Sequence, residues 1–387
     1  MKTDRRKFIQ LAGLSGAAVL GGGLTSFNQS DDNFKFISPV DGDMLCEYDG
    51  KIKDGCLVTQ VKIKAAQGSK IKVNGVNAKF SDNLFTADFC LKNYENDIEA
   101  VDEKTGRNRT IKIFWLKNFI NRYRLSLDDN IWFLKDISNN AGKYKSIFEN
   151  PYLGMYKELH DTYGTKVHFN IYYQTDGFNL SQMPVKFKSQ WKDNSDWIRL
   201  SFHALQNDPD HIYINSGYDE VKRDCEKVKE QISRFAGEEV MGPVTTLHWG
   251  ESTLGGAQAL RDSGYQGLAG YFNVDDDKAP ASYYLDENQR RHLKDRYIWR
   301  DNHEGLIFGR IALVINTLKY PDILPFLETL KKDGKKPGFL DLMIHEQYFY
   351  PTYVAYQPDY KEKVFTSIKW AVDNGYKPAF FSECIFK

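Results

Sequence analysis

Four apolar runs of this 387-residue chain end in groups that can bind a cation or move a proton. The first is Leu125-Ser126-Leu127-Asp128-Asp129, with two adjacent carboxylates directly after the run. Neighbouring side chains at a strand end leave it in different directions, so one carboxylate can ligate a cation while the other holds a water beside it. The second is Leu200-Ser201-Phe202-His203, followed by Asn207-Asp208-Pro209-Asp210-His211. Imidazole and carboxylate together are the donors that a divalent transition metal prefers. The third run leads into Leu247-His248-Trp249-Gly250-Glu251, and the fourth is Leu342-Met343-Ile344-His345-Glu346, with Tyr348, Phe349 and Tyr350 close behind. A lone histidine after an apolar strand is ordinarily structural. Three of them, with a double Asp, at corresponding ends of four strands point to a site.

Such ends need a scaffold that gathers them. After Asn118 apolar strand candidates at 122–127, 166–173, 197–202, 244–248, 267–271, 306–314 and 340–344 alternate with helical candidates at 153–163, 218–235, 254–263, 321–332 and 361–374. This alternation predicts a mostly parallel sheet closed into a (β/α) barrel, in which catalytic groups lie at the C-terminal ends of the strands. Before it, residues 34–117 show short alternating runs such as Leu57-Val58-Thr59-Gln60-Val61-Lys62-Ile63. Asp49-Gly50, Asp54-Gly55, Asn74-Gly75 and Thr105-Gly106 are the turn candidates. That spacing predicts an antiparallel β-sandwich. The expected fold is therefore α/β, a distorted (β/α) barrel over 118–387 preceded by a small all-β sandwich over 34–117. The chain length also favours two cores over one.

Asp128-Asp129 after Ser126-Leu127, His203, and Leu342-Met343-Ile344-His345 resemble the short motifs of the polysaccharide deacetylases with the NodB homology domain, over most of 120–385. The resemblance implies a divalent metal, zinc by ligand type, and a poly- or oligosaccharide substrate. It gives Asp128 the role of base, Asp129 and His203 that of metal ligands, and His345 that of acid. Two departures stand out. The family's second metal histidine falls four residues after the first, where this chain has Asn207, and Leu247-His248-Trp249-Gly250 occupies the place of its Arg-Pro-Pro motif. Asp208 is assigned as third ligand, with His211, Asn207 and His248 as alternatives. His248 is otherwise assigned to catalysis. Trp249, Glu251 and Tyr348 are assigned to substrate binding, because flat rings suit sugar faces. A barrel glycoside hydrolase pairing Asp128 with Glu251 or Glu346, and a non-catalytic glycan-binding protein, are the competing readings. Ile37-Ser38-Pro39-Val40-Asp41-Gly42, Val73-Asn74-Gly75 and Asn96-Asp97-Ile98-Glu99-Ala100-Val101 resemble the bacterial immunoglobulin-like modules appended to secreted carbohydrate enzymes.

At the start, Arg5-Arg6-Lys7-Phe8-Ile9 precedes an uncharged Gly- and Ala-rich run from Leu11 to Leu24. The run is short for a bilayer span and matches a signal segment; the paired arginines make residues 1–30 resemble a twin-arginine export signal. A periplasmic or secreted protein with no membrane span in its mature form is expected. Lys plus Arg equals Asp plus Glu at 52 each. That balance leaves no electrostatic footprint for nucleic acid. The five cysteines, Cys46, Cys56, Cys90, Cys225 and Cys384, have no metal-binding spacing. Cys46 and Cys56 either pair across an apparent hairpin or stay as buried thiols.

Overall fold

The computed structural model describes residues 33–332 and 337–386, so the expected export segment at 1–30 lies outside the described residues. Residues 35–115 form two sheets. One orders the strands Lys35–Ser38, Cys56–Lys64, Leu84–Leu91 and Lys79–Ser81, and the other Met44–Leu45, Arg107–Trp115, Glu95–Asp102, Ile71–Val73 and Val76–Asn77. Alternation does what period two requires: Leu57, Val61, Ile63 and Phe85 from one sheet meet Val73, Ile98, Ala100 and Ile113 from the other in one buried cluster. Asp54-Gly55 and Asn74-Gly75 have positive φ at both positions, as two-residue hairpin turns demand. Asp49-Gly50 is no such turn; Glu47–Asp49 is a short 3-10 helix, and Gly50 is extended.

The disulfide joins Cys56 to Cys90, and Cys46 remains a buried free thiol. The reason is register. Val58 faces Cys90 in the antiparallel pair of long strands, which brings the Cα atoms of Cys56 and Cys90 to 5.6 Å. Cys46 instead begins the 3-10 turn and packs with Met44, Phe114 and Leu116 against Ile298, Ile307, Phe339 and Phe381 of the following domain. That apolar seam, with a 2.6 Å hydrogen bond between His292 and Asp43 and an ion pair from Arg296 to Asp49, fixes the sandwich to its neighbour.

From residue 122 onward the strands Ile198–Ala204, Val167–Tyr172, Arg122–Asn130, Phe339–His345 and Leu313–Val314 run parallel in that order. A second sheet orders Val244–Thr245, Gly267–Gly270, Leu306–Arg310 and Ile298–Asp301, the last antiparallel. Strand pairing thus stays in two sheets, and among the described residues no closed barrel is detected. A lone bridge from Leu200 to Met241 leans one edge on the other. At the opposite seam Ile311 N donates to Gly270 O and Ala312 N to Asp341 O, so one segment bonds to both sheets.

The parallel strands are buried on both faces, but the faces differ. Leu125, Leu127, Val167, Phe169, Ile171, Leu200 and Phe202 join the main apolar core. The alternate residues Arg124, Ser126, Asp128, His168, Asn170, Ser201 and His203 are just as buried and make a polar interior. No helix among the described residues is long and apolar enough to cross a membrane.

Candidate metal centre

The polar interior ends in a cluster at the C-terminal ends of the strands. One ligand atom each from Asp129, His203 and His248, all buried, lie within 4.8 Å of one another. His203 Nε2 is 2.9 Å from Asp129 Oδ1, His248 Nδ1 is 3.1 Å from the same oxygen, and the two nitrogens are 3.2 Å apart. Two irregularities of the backbone create this convergence. Asp129 has φ +63°, and the pairing of its strand slips between Leu127 and Asn130. The bulge cancels the usual alternation, so Asp128 meets Asn170 while Asp129 meets Tyr172 two residues further along the same face. On the neighbouring strand Ile171 faces Phe202 but Tyr172 faces Ala204, leaving His203 as the extra residue.

Burial alone would raise the Asp129 pKa, but hydrogen bonds from His203 and His248 hold the carboxyl well below its ordinary range. For His203 burial works against the charged form, and Asp129 with Asp128 overrules it and raises the pKa. His203 Nδ1 lies 2.5 Å from the carbonyl oxygen of Thr246. That outer bond fixes the ring and points Nε2 at the cluster, the arrangement found behind metal-ligating histidines. A cation and a proton therefore compete for Nε2. One carboxylate and two imidazoles, oriented in this way, fit a divalent transition metal, with further coordination left to solvent or substrate.

Asp128 stands beside the cluster on a buried chain of polar groups. Its Oδ1 accepts from Asn170 Nδ2 at 2.6 Å and from Ser126 Oγ at 3.1 Å. Ser126 Oγ in turn faces Arg124, whose guanidinium pairs with Asp341 at 2.9 Å. Burial pushes the Asp341 carboxyl up to about 6 against the pull of Arg124. Arg124→Met is therefore expected to destabilise the fold by ~3–5 kcal/mol near neutral pH, because it strands a buried carboxylate. The loss should shrink below about pH 4, since a carboxyl whose folded pKa exceeds its unfolded value is penalised only as pH rises between the two. Denaturant titration at both pH values, alongside the Arg124→Met/Asp341→Leu pair, checks this; an equal loss in all three would place the effect elsewhere.

His345 is the register partner of Asp128 on the adjacent strand. Its backbone N–H and its Nδ1 both approach Asn316 Oδ1, at 3.1 and 2.9 Å. Because the backbone N–H makes Asn316 Oδ1 an acceptor, the ring nitrogen that meets it is Nδ1–H.

The other sequence assignments fall differently. His248, assigned to catalysis, stands at the third corner of the cluster, and Asp208, assigned to the metal, does not. The His248–Gly250 turn after the short Val244–Thr245 strand brings the imidazole inward, whereas Asp208 sits on an exposed loop before Pro209. Of the other ligand alternatives, Asn207 accepts from Tyr172 at 3.3 Å and His211 pairs with Glu251 at 2.7 Å. Glu251 is buried in that pair, and one face of Trp249 is covered by the His211 ring at 4.3 Å, so neither lines the cavity in front of the cluster. Tyr348 packs edge-on against Tyr353, and it is Tyr353 and Trp132 that line the cavity. Glu346 accepts from the backbone N–H groups of Ile131, Trp132 and Phe133, capping the Trp132–Asn139 helix.

Sequence reasoning missed four contributors. Tyr172 donates to Asp129 Oδ1 at 2.5 Å and Gln347 Nε2 donates to Oδ2 at 2.6 Å. Arg124 and Asp341 were legible in principle, as opposite charges set four residues before Asp128 and His345 on strands that proved adjacent.

No protein-family model and no curated protein matches the chain. Among solved structures, it is similar to a protein from Mycobacterium smegmatis assigned as a polysaccharide deacetylase, at 10% identity over 68% of this chain and 88% of that one, with a TM-score of 0.42. An amylomaltase from Corynebacterium glutamicum is matched at 10% identity over 88% of this chain and 42% of that one, with a TM-score of 0.16. Likeness at these scores carries no inference about activity.

Proposed function

We propose that the chain is an exported, metal-dependent hydrolase that removes acetyl groups from a glycan. The observation that carries this reading is the buried Asp129, His203, His248 cluster, with Asp128 and His345 on adjacent strands beside it and a cavity of about 740 Å³ that Asp129 lines. A divalent ion held by those three residues, zinc by the donor set, would supply Lewis acidity toward an acyl carbonyl. The chain's own groups do the rest. Asp128, oriented through Oδ1 by Asn170 and Ser126, keeps Oδ2 to accept the proton of an attacking water. His345, held through Nδ1 by Asn316, delivers a proton from Nε2 to the departing amine or alcohol. Tyr172 and Gln347 fix both oxygens of Asp129, and so the place of the cation.

Export rests on the paired arginines and the apolar run at the start of the chain, and the Cys56–Cys90 bond is at home in the oxidising compartment that export reaches. The sandwich, read as an immunoglobulin-like module, acts as a spacer packed against the catalytic domain. A two-carboxylate glycoside hydrolase finds less support, because Glu346 is spent on a helix cap and Glu251 on His211. The test is acetate release from acetylated oligosaccharides before and after dialysis against a chelator, then with zinc restored. Release that disappears and returns is expected. Release indifferent to chelation, or new reducing ends in place of acetate, sinks the proposal.

A further inference from the structure

The two outer faces of the sandwich differ in charge. In the Cys56–Lys64 strand Leu57, Val61 and Ile63 turn into the buried cluster, so the alternate Lys62 and Lys64 stand on the outer face. Register carries that face to the neighbouring strands. Thr86 is the partner of both Lys62 and Lys79, Lys51 faces Val58, Lys53 faces Cys56, and Lys35 faces Lys64. Lys51, Lys53, Lys62, Lys64 and Lys79 make no ion pair among the described residues. Opposing charge is sparse: Asp88 lies on the face opposite Gln60, and Asp54 and Asp82 sit in the turns at its ends. The other sheet is balanced. Its outward Glu95, Asp97 and Glu99 stand with Lys112 and Lys72, and ion pairs join Lys112 to Glu95 and Lys72 to Glu103. Lysine on an outer strand commonly guards the edge against strand addition, which accounts for Lys51, Lys53 and Lys79. It does not account for Lys62, which has a paired strand on either side. The equality of 52 basic and 52 acidic residues in the whole chain thus conceals a local excess of positive charge.

We propose that the outer face of this sheet is a docking surface for an acidic polysaccharide, a linear chain of uronate sugars, which gives the sandwich a role beyond spacing. The inference stands apart from the metal centre and from the hydrolase reading. The face extends ~25 Å along its longest strand and ~14 Å across four strands, room for several sugar units in a row. Lysine is a compact charge that suits separate carboxylates spaced along a polymer, and the strands of this sheet carry no arginine, the residue suited to bidentate phosphate contacts. Between the lysines, Ser38, Gln60 and Thr86 offer hydroxyl and amide groups to sugar hydroxyls. The aromatic residues of these strands, Phe36, Phe80, Phe85 and Phe89, all belong to the opposite side by register, so no ring stands among the lysines to anchor the face in a lipid surface. Attraction of this kind is screened by salt, so docking must weaken as ionic strength rises.

The experiment follows the fluorescence anisotropy of an end-labelled oligogalacturonate mixed with the full mature chain at rising salt. Saturable binding that weakens with salt is expected. Lys62→Gln/Lys64→Gln, which breaks no ion pair and removes no core residue, should weaken it about tenfold at low salt while the denaturation midpoint stays native. A cation in the metal centre attracts carboxylates by itself, so Asp129→Ala/His203→Ala supplies the second arm. Binding within about twofold of native is expected there, because the two places are far apart and share no partner. Loss of binding in that variant, with retention in the lysine variant, would put the polymer at the metal centre and overturn the inference. Absence of binding, or equal binding of a neutral β-glucan, overturns it as well. Tighter binding of phosphatidylglycerol vesicles or of duplex DNA would give the face to a different partner and has the same consequence.

Discussion

His248→Ala is expected to weaken zinc binding by more than ~100-fold while Asp208→Ala leaves it within a few-fold of the native value. The magnitude follows from outer partners of metal ligands, whose loss already costs ~10–100-fold, so that losing a direct donor exceeds it. The contrast follows from placement. His248 Nδ1 is 3.1 Å from Asp129 Oδ1 and 3.2 Å from His203 Nε2, whereas Asp208 lies on an exposed loop outside the group of three. Competition against a chromophoric chelator reads both constants without reference to activity. Substitution also tests the folded context, because Tyr172 Oη lies 3.0 Å from His248 Nδ1 and packs edge-on against its ring, so the variant must show native denaturation behaviour before its affinity is compared. A native affinity in His248→Ala, or an equal collapse in Asp208→Ala, would move the third corner from the strand end to the loop.

The placing of His248, one of the alternatives for third ligand, and not Asp208 beside Asp129 and His203 marks where reading a sequence runs out. Strand ends and the residue types placed on them were visible, since apolar runs stop abruptly at Asp128, His203, His248 and His345. Which of those ends face one another was not, because it depends on bulges. Nothing in the local pattern announces that Asp129 takes a left-handed conformation or that His203 is the extra residue of its strand pair. The same boundary separates the helices. Pro151–Tyr163 carries its own signals, with Asn150 accepting from Leu153 N, proline at the first turn and Gly164 at φ +67°, and the sequence places it to within two residues at its start. Trp132–Asn139 has no capping side chain of its own, and its cap arrives from Glu346, more than two hundred residues away. That carboxylate, attractive in sequence as a hydrolytic partner for Asp128, is thereby withdrawn from chemistry by a tertiary contact. The disulfide obeys the same logic: the hairpin that would bring Cys46 to Cys56 is a 3-10 turn, and the long strand pair selects Cys90.

Asp128→Asn is expected to lower kcat for acetate release by ~10²–10⁴-fold with metal content and stability preserved. The substitution is informative because the surroundings of Asp128 constrain what asparagine can do. Asn170 Nδ2 and Ser126 Oγ both donate to Oδ1, so an asparagine must turn its own carbonyl oxygen toward them and its NH₂ toward the site. The side chain then keeps its place and its two hydrogen bonds, while the position of Oδ2 changes from acceptor to donor. A group that only held structure would survive that change; a group that accepts a proton from water would not. The neighbouring pair gives the control. Asn170→Ala removes one donor to Asp128 without removing the carboxylate, so it should cost less in kcat than Asp128→Asn. Metal analysis of each variant completes the argument: a kcat that falls only in step with lost metal would make Asp128 a support for Asp129, and a kcat within about threefold of native in metal-replete Asp128→Asn would remove it from the proton transfer altogether.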